Sequence, residues 1–210
     1  MALLGKGLLA IWNGITDSGE AEFVKWHIRE HIPERVGLSG FLRGRRYVAH
    51  QGHPKYFNFY ETKTPQTLES TEYRARLNAP TQWTKDVVKE FRDTSRTICE
   101  VIASMGLGEG AWIETIQISG MKDRETFARR MTQDLMPDVA RQDGIIGVHF
   151  VRGVEDQVSS QTAESSFLET LRNGACSNES IHELSADVTV ERGIYRLQYG
   201  LTHGELGPPD

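Results

Sequence analysis

His27 and His31 stand four residues apart. On a helix that spacing puts two imidazoles one turn apart on one face. Phe23 lies on the same line, and Val24, Ile28 and Ile32 flank it, so the pair borders a buried stripe. Such a pair suits a divalent metal, or acid/base work near neutral pH. A zinc centre would need a third ligand, for which His50, Glu34 or Glu61 would have to fold in. The same spacing equally serves histidines that fill core-edge positions and bond to backbone or to Glu.

Two more groups of residues carry chemistry. Arg43, Arg45 and Arg46 fall in a stretch from Arg35 to Tyr60 that holds no Asp or Glu. Strand alternation puts Arg43, Arg45 and Tyr47 on one face and Arg46 on the other. An Arg aimed into a cavity would grip a carboxylate or phenolate with two hydrogen bonds; the alternative is pairing with Glu30, Glu34, Glu61 or Glu100. Tyr56, Asn58 and Tyr60 alternate with Phe57, Phe59 and Glu61. With Phe57 and Phe59 packed on helices, the Tyr56-Asn58-Tyr60 row is expected to line the interior, together with Asn13 from the first strand. Buried hydroxyls and amides need partners, water or a ligand.

The elements that would position these residues can be read along the chain. Leu8–Ile15 reads as a strand, and a helix capped by Ser18 runs to about Arg35. Strands follow at 40–49 and 56–62, then helical sequence at 64–94 that Pro80 must break near Asn78, with Ala79 extended. A fourth strand covers 97–105. The order is βαββαβ, a ferredoxin-like unit.

It then recurs. Phe23, Pro33, Glu34 and Gly40-Phe41 return as Phe127, Pro137, Asp138 and Gly144-Ile145, and Phe59-Tyr60-Glu61-Thr62 returns as Phe167-Leu168-Glu169-Thr170. In this register Asn13 matches Gln117, Arg45 matches His149, and His27 and His31 match Met131 and Leu135. The expected organisation is one unit at 6–106, a second at 110–203 with a short last helix near 178–185, and a loose tail at 204–210. The fold class is α+β: tandem units whose two antiparallel sheets face each other as an α+β barrel. A single continuous sheet would count against the duplication.

Composition sets the outer limits. The 210 residues carry 24 Lys and Arg against 29 Asp and Glu, a net charge of −5. That balance speaks against nucleic acid as a partner. Only Cys99 and Cys176 are present, which fits a reducing, cytoplasmic setting and no disulfide framework. No stretch approaches the ~20 apolar residues of a membrane span. Neither common phosphate-cradling glycine pattern occurs, and there is no Gly-x-Ser-x-Gly elbow.

Some of these residues also form a familiar pattern. Trp26-His27-x-x-Glu30-His31-Ile32-Pro33-Glu34, Gly40-Phe41 and Arg45-Arg46-Tyr47 are followed by Ser70, Tyr73, Leu77-Asn78, Pro80-Thr81, Trp83-Thr84 and Phe91-Arg92. This resembles the EthD-like group of the dimeric α+β barrel superfamily over about the first hundred residues. The resemblance implies the fold more firmly than the function, because the superfamily includes isomerases, cyclases, monooxygenases, haem proteins and members with no known activity.

The expectation drawn from the residues is an enzyme without cofactor. It would act by proton transfer on a small cyclic or aromatic acid or ketone, as an isomerase, cyclase, decarboxylase or lyase. His31, His27 and Tyr60 would be catalytic, and Asn58, Tyr56, Arg45, Arg46 and Asn13 would bind substrate. No metal is assigned, and a homodimer is compatible with the sequence. The alternatives are a non-catalytic ligand-binding or accessory protein of a degradation pathway, and a haem-binding or monooxygenase member of the superfamily.

Overall fold

The computed structural model describes residues 3–154, 164–170 and 188–207. Eight strands form a closed antiparallel barrel: β1 (Gly7–Ile15), β2 (Phe41–Gln51), β3 (Tyr56–Thr62), β4 (Phe91–Gly106), β5 (Trp112–Ser119), β6 (Ile145–Gly153), β7 (Glu164–Thr170) and β8 (Thr189–Thr202), in the cyclic order β1-β3-β2-β8-β5-β7-β6-β4. The expected α+β barrel is thus present. Each half contributes four strands in equivalent order, β4-β1-β3-β2 and β8-β5-β7-β6. The two sheets do not stay separate, however. They are stitched at two seams, β2–β8 and β4–β6, into one continuous cylinder. This corrects the expectation of two separate facing sheets and on that criterion counts against the duplication; the equivalent strand order of the two halves is what supports it. Closure removes the free edges that two open sheets would expose.

Aromatic side chains fill the cylinder. Trp12, Tyr47, Phe57, Phe59 and Tyr195 pack inside with Leu8, Ala10, Cys99, Val101, Ile113 and Val151. This corrects the expected facing of β3. Phe57 and Phe59 point into the barrel, while Tyr56, Asn58 and Tyr60 point outward beneath the helices. All seven residues of β3 are buried, so the strand lacks the wet face that would have told inside from outside.

The outer layer of the first half is one helical rod: α1 (Glu20–Trp26), a π-turn (His27–His31) and α2 (Ile32–Val36). Ser18 does not cap it. Gly19 occupies the cap position, and its N–H donates to Thr16 Oγ1 at 3.2 Å. In the π-turn the Ile32 N–H bonds to His27 O, five residues back. Pro33, with no N–H and a ring that crowds the preceding turn, explains the widening. The second half repeats the device: α5 (Arg124–Arg130), a π-turn (Met131–Leu135) with Met136 N–H on Met131 O, then α6 (Met136–Ala140) carrying Pro137.

Between β3 and β4, α3 (Thr71–Asn78) is capped by Ser70 Oγ and α4 (Gln82–Val87) by Thr81 Oγ1. The helix breaks at Ala79-Pro80 as expected, but Ala79 has φ −125° and ψ 58°, short of a fully extended residue. β4 begins at Phe91, six residues before the expected start, so the helical segment is shorter than the sequence suggested.

Strand register refines the repeat. Arg46 pairs with Asn58 as Phe150 pairs with Ser166. Leu8 pairs with Glu61 as Ile113 pairs with Glu169, so the first strands are offset by one residue more than the helices. Asn13 therefore corresponds to Ile118 and not to Gln117. The expected helix near 178–185 lies outside the described residues. The start of the expected tail is not loose: His203–Glu205 forms a turn capped reciprocally with Thr202, and His203 Nδ1 lies 2.7 Å from Val36 O.

Candidate functional site between the first helical rod and the barrel wall

Asn13, His27, His31, Arg46, Tyr56, Asn58 and Tyr60 meet on the outer face of β1, β2 and β3, under the α1–π-turn–α2 rod. The site lies between helix and sheet, outside the barrel lumen. At its centre His27 is 3% exposed. Its Nε2 lies 3.2 Å from Tyr60 Oη, and its Nδ1 lies 3.5 Å from an Arg46 guanidinium nitrogen. Burial, with His31 and Arg46 close by, holds the His27 pKa well below the usual histidine value. The His31 ring stacks on Trp26 at 4.3 Å and lies 5.6 Å from the ring of His27. Burial first, and then the Arg35 guanidinium, lower the His31 pKa to about 3. Both imidazoles are therefore neutral at pH 7. His31 Nδ1 is buried without a hydrogen-bond partner.

The Tyr60 ring lies against the backbone of β2. A Cβ on Gly44 would sit 2.9 Å from that ring and 3.1 Å from Val36, so the glycine makes room for the tyrosine. Burial raises the Tyr60 pKa and keeps the hydroxyl protonated. Beside it, Asn58 Nδ2 donates to Asn13 Oδ1 at 2.7 Å, and Asn13 Nδ2 donates to Gly14 O at 3.2 Å. Asn58 Oδ1 is buried with no partner. Arg46 is held by Gln198 Oε1 at 3.1 Å and Val24 O at 3.4 Å, with its guanidinium 5.8 Å from the Phe23 ring centre.

Two of the expected substrate-binding residues are committed elsewhere. The Tyr56 hydroxyl donates to Glu20 at 2.6 Å, and Lys55 takes the other oxygen of that carboxylate. Arg45 is not in the site at all. It lies in the barrel over the Phe59 ring at 4.3 Å and shares Glu61 with Arg43, at 3.1 and 2.6 Å. The Arg–Glu pairing that the sequence left open is the one found here.

Sequence reasoning missed Gln198 and Tyr199, which β8 brings beside Arg46 across the seam. It also missed the role of Glu30, whose Oε1 accepts from Trp26 Nε1 (3.1 Å), Thr81 Oγ1 (2.6 Å) and Thr84 Oγ1 (3.0 Å). This carboxylate ties the α3–α4 break to the rod one residue before His31. The quoted Trp26, Glu30, Thr81 and Thr84 pattern was the available signal. Among the described residues no three His, Cys, Asp or Glu are placed to hold a metal ion. Two clefts lie away from the histidines. One of about 280 Å³ is lined by Glu22, Trp83, Asp86 and Glu90; the other, of about 350 Å³, by Leu3–Lys6, Lys63, Val101 and Ser104. No helix among the described residues is long and apolar enough to cross a membrane.

No protein-family model and no curated protein sequence matches the chain. Solved structures do match, over nearly its whole length. An anthrone oxidase-like protein superposes with a TM-score of 0.71 at 10% identity, covering 98% of this chain and 97% of the other. A candidate monooxygenase from Fusobacterium nucleatum gives 0.62 at 8% identity, with 95% and 96% covered. A candidate chlorite dismutase gives 0.55 at 7% identity, with 97% and 98% covered. At such identities the likeness is one of fold, the dimeric α+β barrel.

Proposed function

We propose that the chain is an enzyme that removes an acidic proton from a small cyclic or aromatic ketone or phenol bound between the first helical rod and the barrel wall. One observation carries this reading: five of the cluster's seven side chains have apolar counterparts in the second half, while Tyr56 and Asn58 match the polar Glu164 and Ser166. Asn13, His27, His31, Arg46 and Tyr60 correspond to Ile118, Met131, Leu135, Phe150 and Leu168 in the second half. The same backbone folds with apolar residues at these positions, so the fold itself does not require the polar set.

The roles follow from geometry and charge. His31 is the base, because its buried Nδ1 is unpartnered and its ring stays neutral above about pH 3. Such a depressed pKa makes a weak base by itself; a bound substrate that becomes anionic strengthens it. The Tyr60 hydroxyl faces the oxygen that gains charge, and Arg46 supplies positive charge behind it. The enolate or phenolate can then be reprotonated elsewhere, as in an isomerase or lyase. Oxidation is the other outcome, with dioxygen from solution accepting the anion's electrons; the names of the anthrone oxidase-like and monooxygenase neighbours favour it. The EthD-like resemblance belongs to the same reading.

The direct test is deuterium exchange. Cyclic and aromatic ketones incubated with the protein in D2O should exchange their acidic C–H, and His31→Ala should abolish catalysis of that exchange. Absence of catalysed C–H exchange across such ketones would overturn the reading.

Haem binding is a second reading, favoured by the same unpartnered His31 Nδ1. Both nitrogens of His27 are engaged, which leaves His31 as the histidine of the pair that would hold the haem. When bound, haem would supply redox chemistry at that position. A Soret band in protein reconstituted with haem, lost in His31→Ala, would support it.

A further inference from the structure

His27 stands between a group that only donates hydrogen bonds and a group that can do either. The Arg46 guanidinium has no acceptor. A proton on His27 Nδ1 would point at its N–H groups across 3.5 Å, so Nδ1 must present its lone pair there. A neutral imidazole carries one N–H, which then resides on Nε2 and points at Tyr60 Oη, 3.2 Å away. The tyrosine oxygen is thereby the acceptor, and its own hydrogen must go elsewhere. Among the described residues Tyr60 Oη has no second partner. Arg46 is itself aimed from the other half of the chain, because its Nε donates to Gln198 Oε1 on β8.

We infer that Arg46, held by Gln198, is a positioning residue that fixes the His27 proton on Nε2, so that the Tyr60 hydroxyl is offered as a donor to a ligand oxygen. The relay runs Gln198, Arg46, His27, Tyr60, ligand. His27 is therefore not the base: each of its nitrogens is occupied and its proton is turned toward Tyr60. The inference deepens the proposed function and rests on it for the ligand's place. It adds that the ligand must present an oxygen acceptor to Tyr60, as a ketone or phenolate does, and that β8 completes the site instead of merely covering it.

The test needs neither ligand nor turnover, so its failure is separable from failure of the proposed reaction. Long-range 15N–1H NMR of the full chain near pH 7 reads the tautomer of each histidine. The expected result is His27 as the Nε2–H tautomer in the unmodified protein and in Arg46→Lys, which keeps a cationic donor. Arg46→Met should lose it as the dominant form, because Tyr60 can then donate to Nε2 while Nδ1 carries the proton. Should Arg46→Met fail to fold, Gln198→Ala at an exposed position serves instead, and the Nδ1–H form should appear there as a detectable minority. An Nδ1–H tautomer in the unmodified protein would overturn the inference, and so would an unaltered His27 tautomer in folded Arg46→Met or, where that variant does not fold, in Gln198→Ala.

Discussion

His27 and Met131 open the same π-turn, one in each half of the barrel. Both are buried, both precede a proline at the same distance, and both carbonyls accept an N–H from five residues on. The backbone device is shared and the chemistry is not. Met131 packs with Phe127, Met136 and Phe150, whereas His27 meets Arg46 and Tyr60. A π-turn exists here to accommodate a proline, and in the first half it carries a histidine that meets polar partners.

That contrast sets opposite outcomes for two substitutions. Met131→Ala should cost about 2–5 kcal/mol of stability, by lost packing and a residual cavity, and leave the chemistry intact. His31→Ala should lose roughly 10²–10⁴-fold in turnover for a general base. Urea midpoints and exchange rates measured on both variants separate the two. A His31→Ala protein that melts early but keeps full activity would make the histidine structural.

Tyr60→Phe removes one oxygen and little volume. Its effect should fall on the charge-stabilising step, about 10²–10³-fold in kcat, as for loss of a single oxyanion donor. The measurement is kcat beside thermal midpoint. A variant with unchanged kcat would remove Tyr60 from the site.

Acid should destabilise this protein in part through its histidines. His27 and His31 are held neutral in the fold, while the unfolded chain protonates near the ordinary value of 6.5. As pH falls below that value the unfolded chain takes up protons that the native state refuses, so stability is lost down to about pH 3, where His31 itself protonates. Each histidine adds at most ~1.4 kcal/mol per pH unit to that slope. Urea midpoints between pH 7 and 4.5 should fall less steeply for His31→Leu. Parallel curves would mean that His31 titrates as an ordinary surface histidine.

Glu61 is the buried anion between Arg43 and Arg45, and its other oxygen accepts the Leu4 N–H. Glu61→Ala should destabilise by about 3–5 kcal/mol, because it strands buried guanidinium charge. Arg45→Met should leave ligand binding unchanged, since Arg45 lies inside the barrel. A Kd for ligand that rises in Arg45→Met would return this residue to the site.

Much of this arrangement was legible in the sequence. The recurrence of Phe23, Pro33 and Gly40 at fixed spacing gave the tandem α+β barrel, because hydrophobic periodicity and helix-breaking residues survive divergence. His27, His31, Tyr60, Asn58, Asn13 and Arg46 were all named from residue type and alternation, and they do converge. What failed was the sense of the sheet face. β3 is buried on both sides, so alternation identified two sets without saying which looked inward. The barrel needed large aromatic fillers, and it took Phe57 and Phe59. Arg45 failed for a related reason: its partner Glu61 lies on the neighbouring strand, and pairing across a barrel is set by register, not by sequence distance. The π-turns were not legible, since a proline within a helix is compatible with a kink, a break or a widened turn. Gln198 could not be placed because the seam that joins β8 to β2 depends on closure of the whole cylinder.

The measurement closest to the central claim is amide and side-chain NMR of the protein titrated with small cyclic ketones and phenols. If the first half carries the ligand site, the shifts should centre on His27, His31, Asn58 and Tyr60 and spread to Arg46 and Gln198, leaving Met131 and Phe150 unmoved. Shifts centred on Met131 and Phe150, shifts confined to the barrel residues around Arg45 and Glu61, or none at millimolar ligand would contradict it.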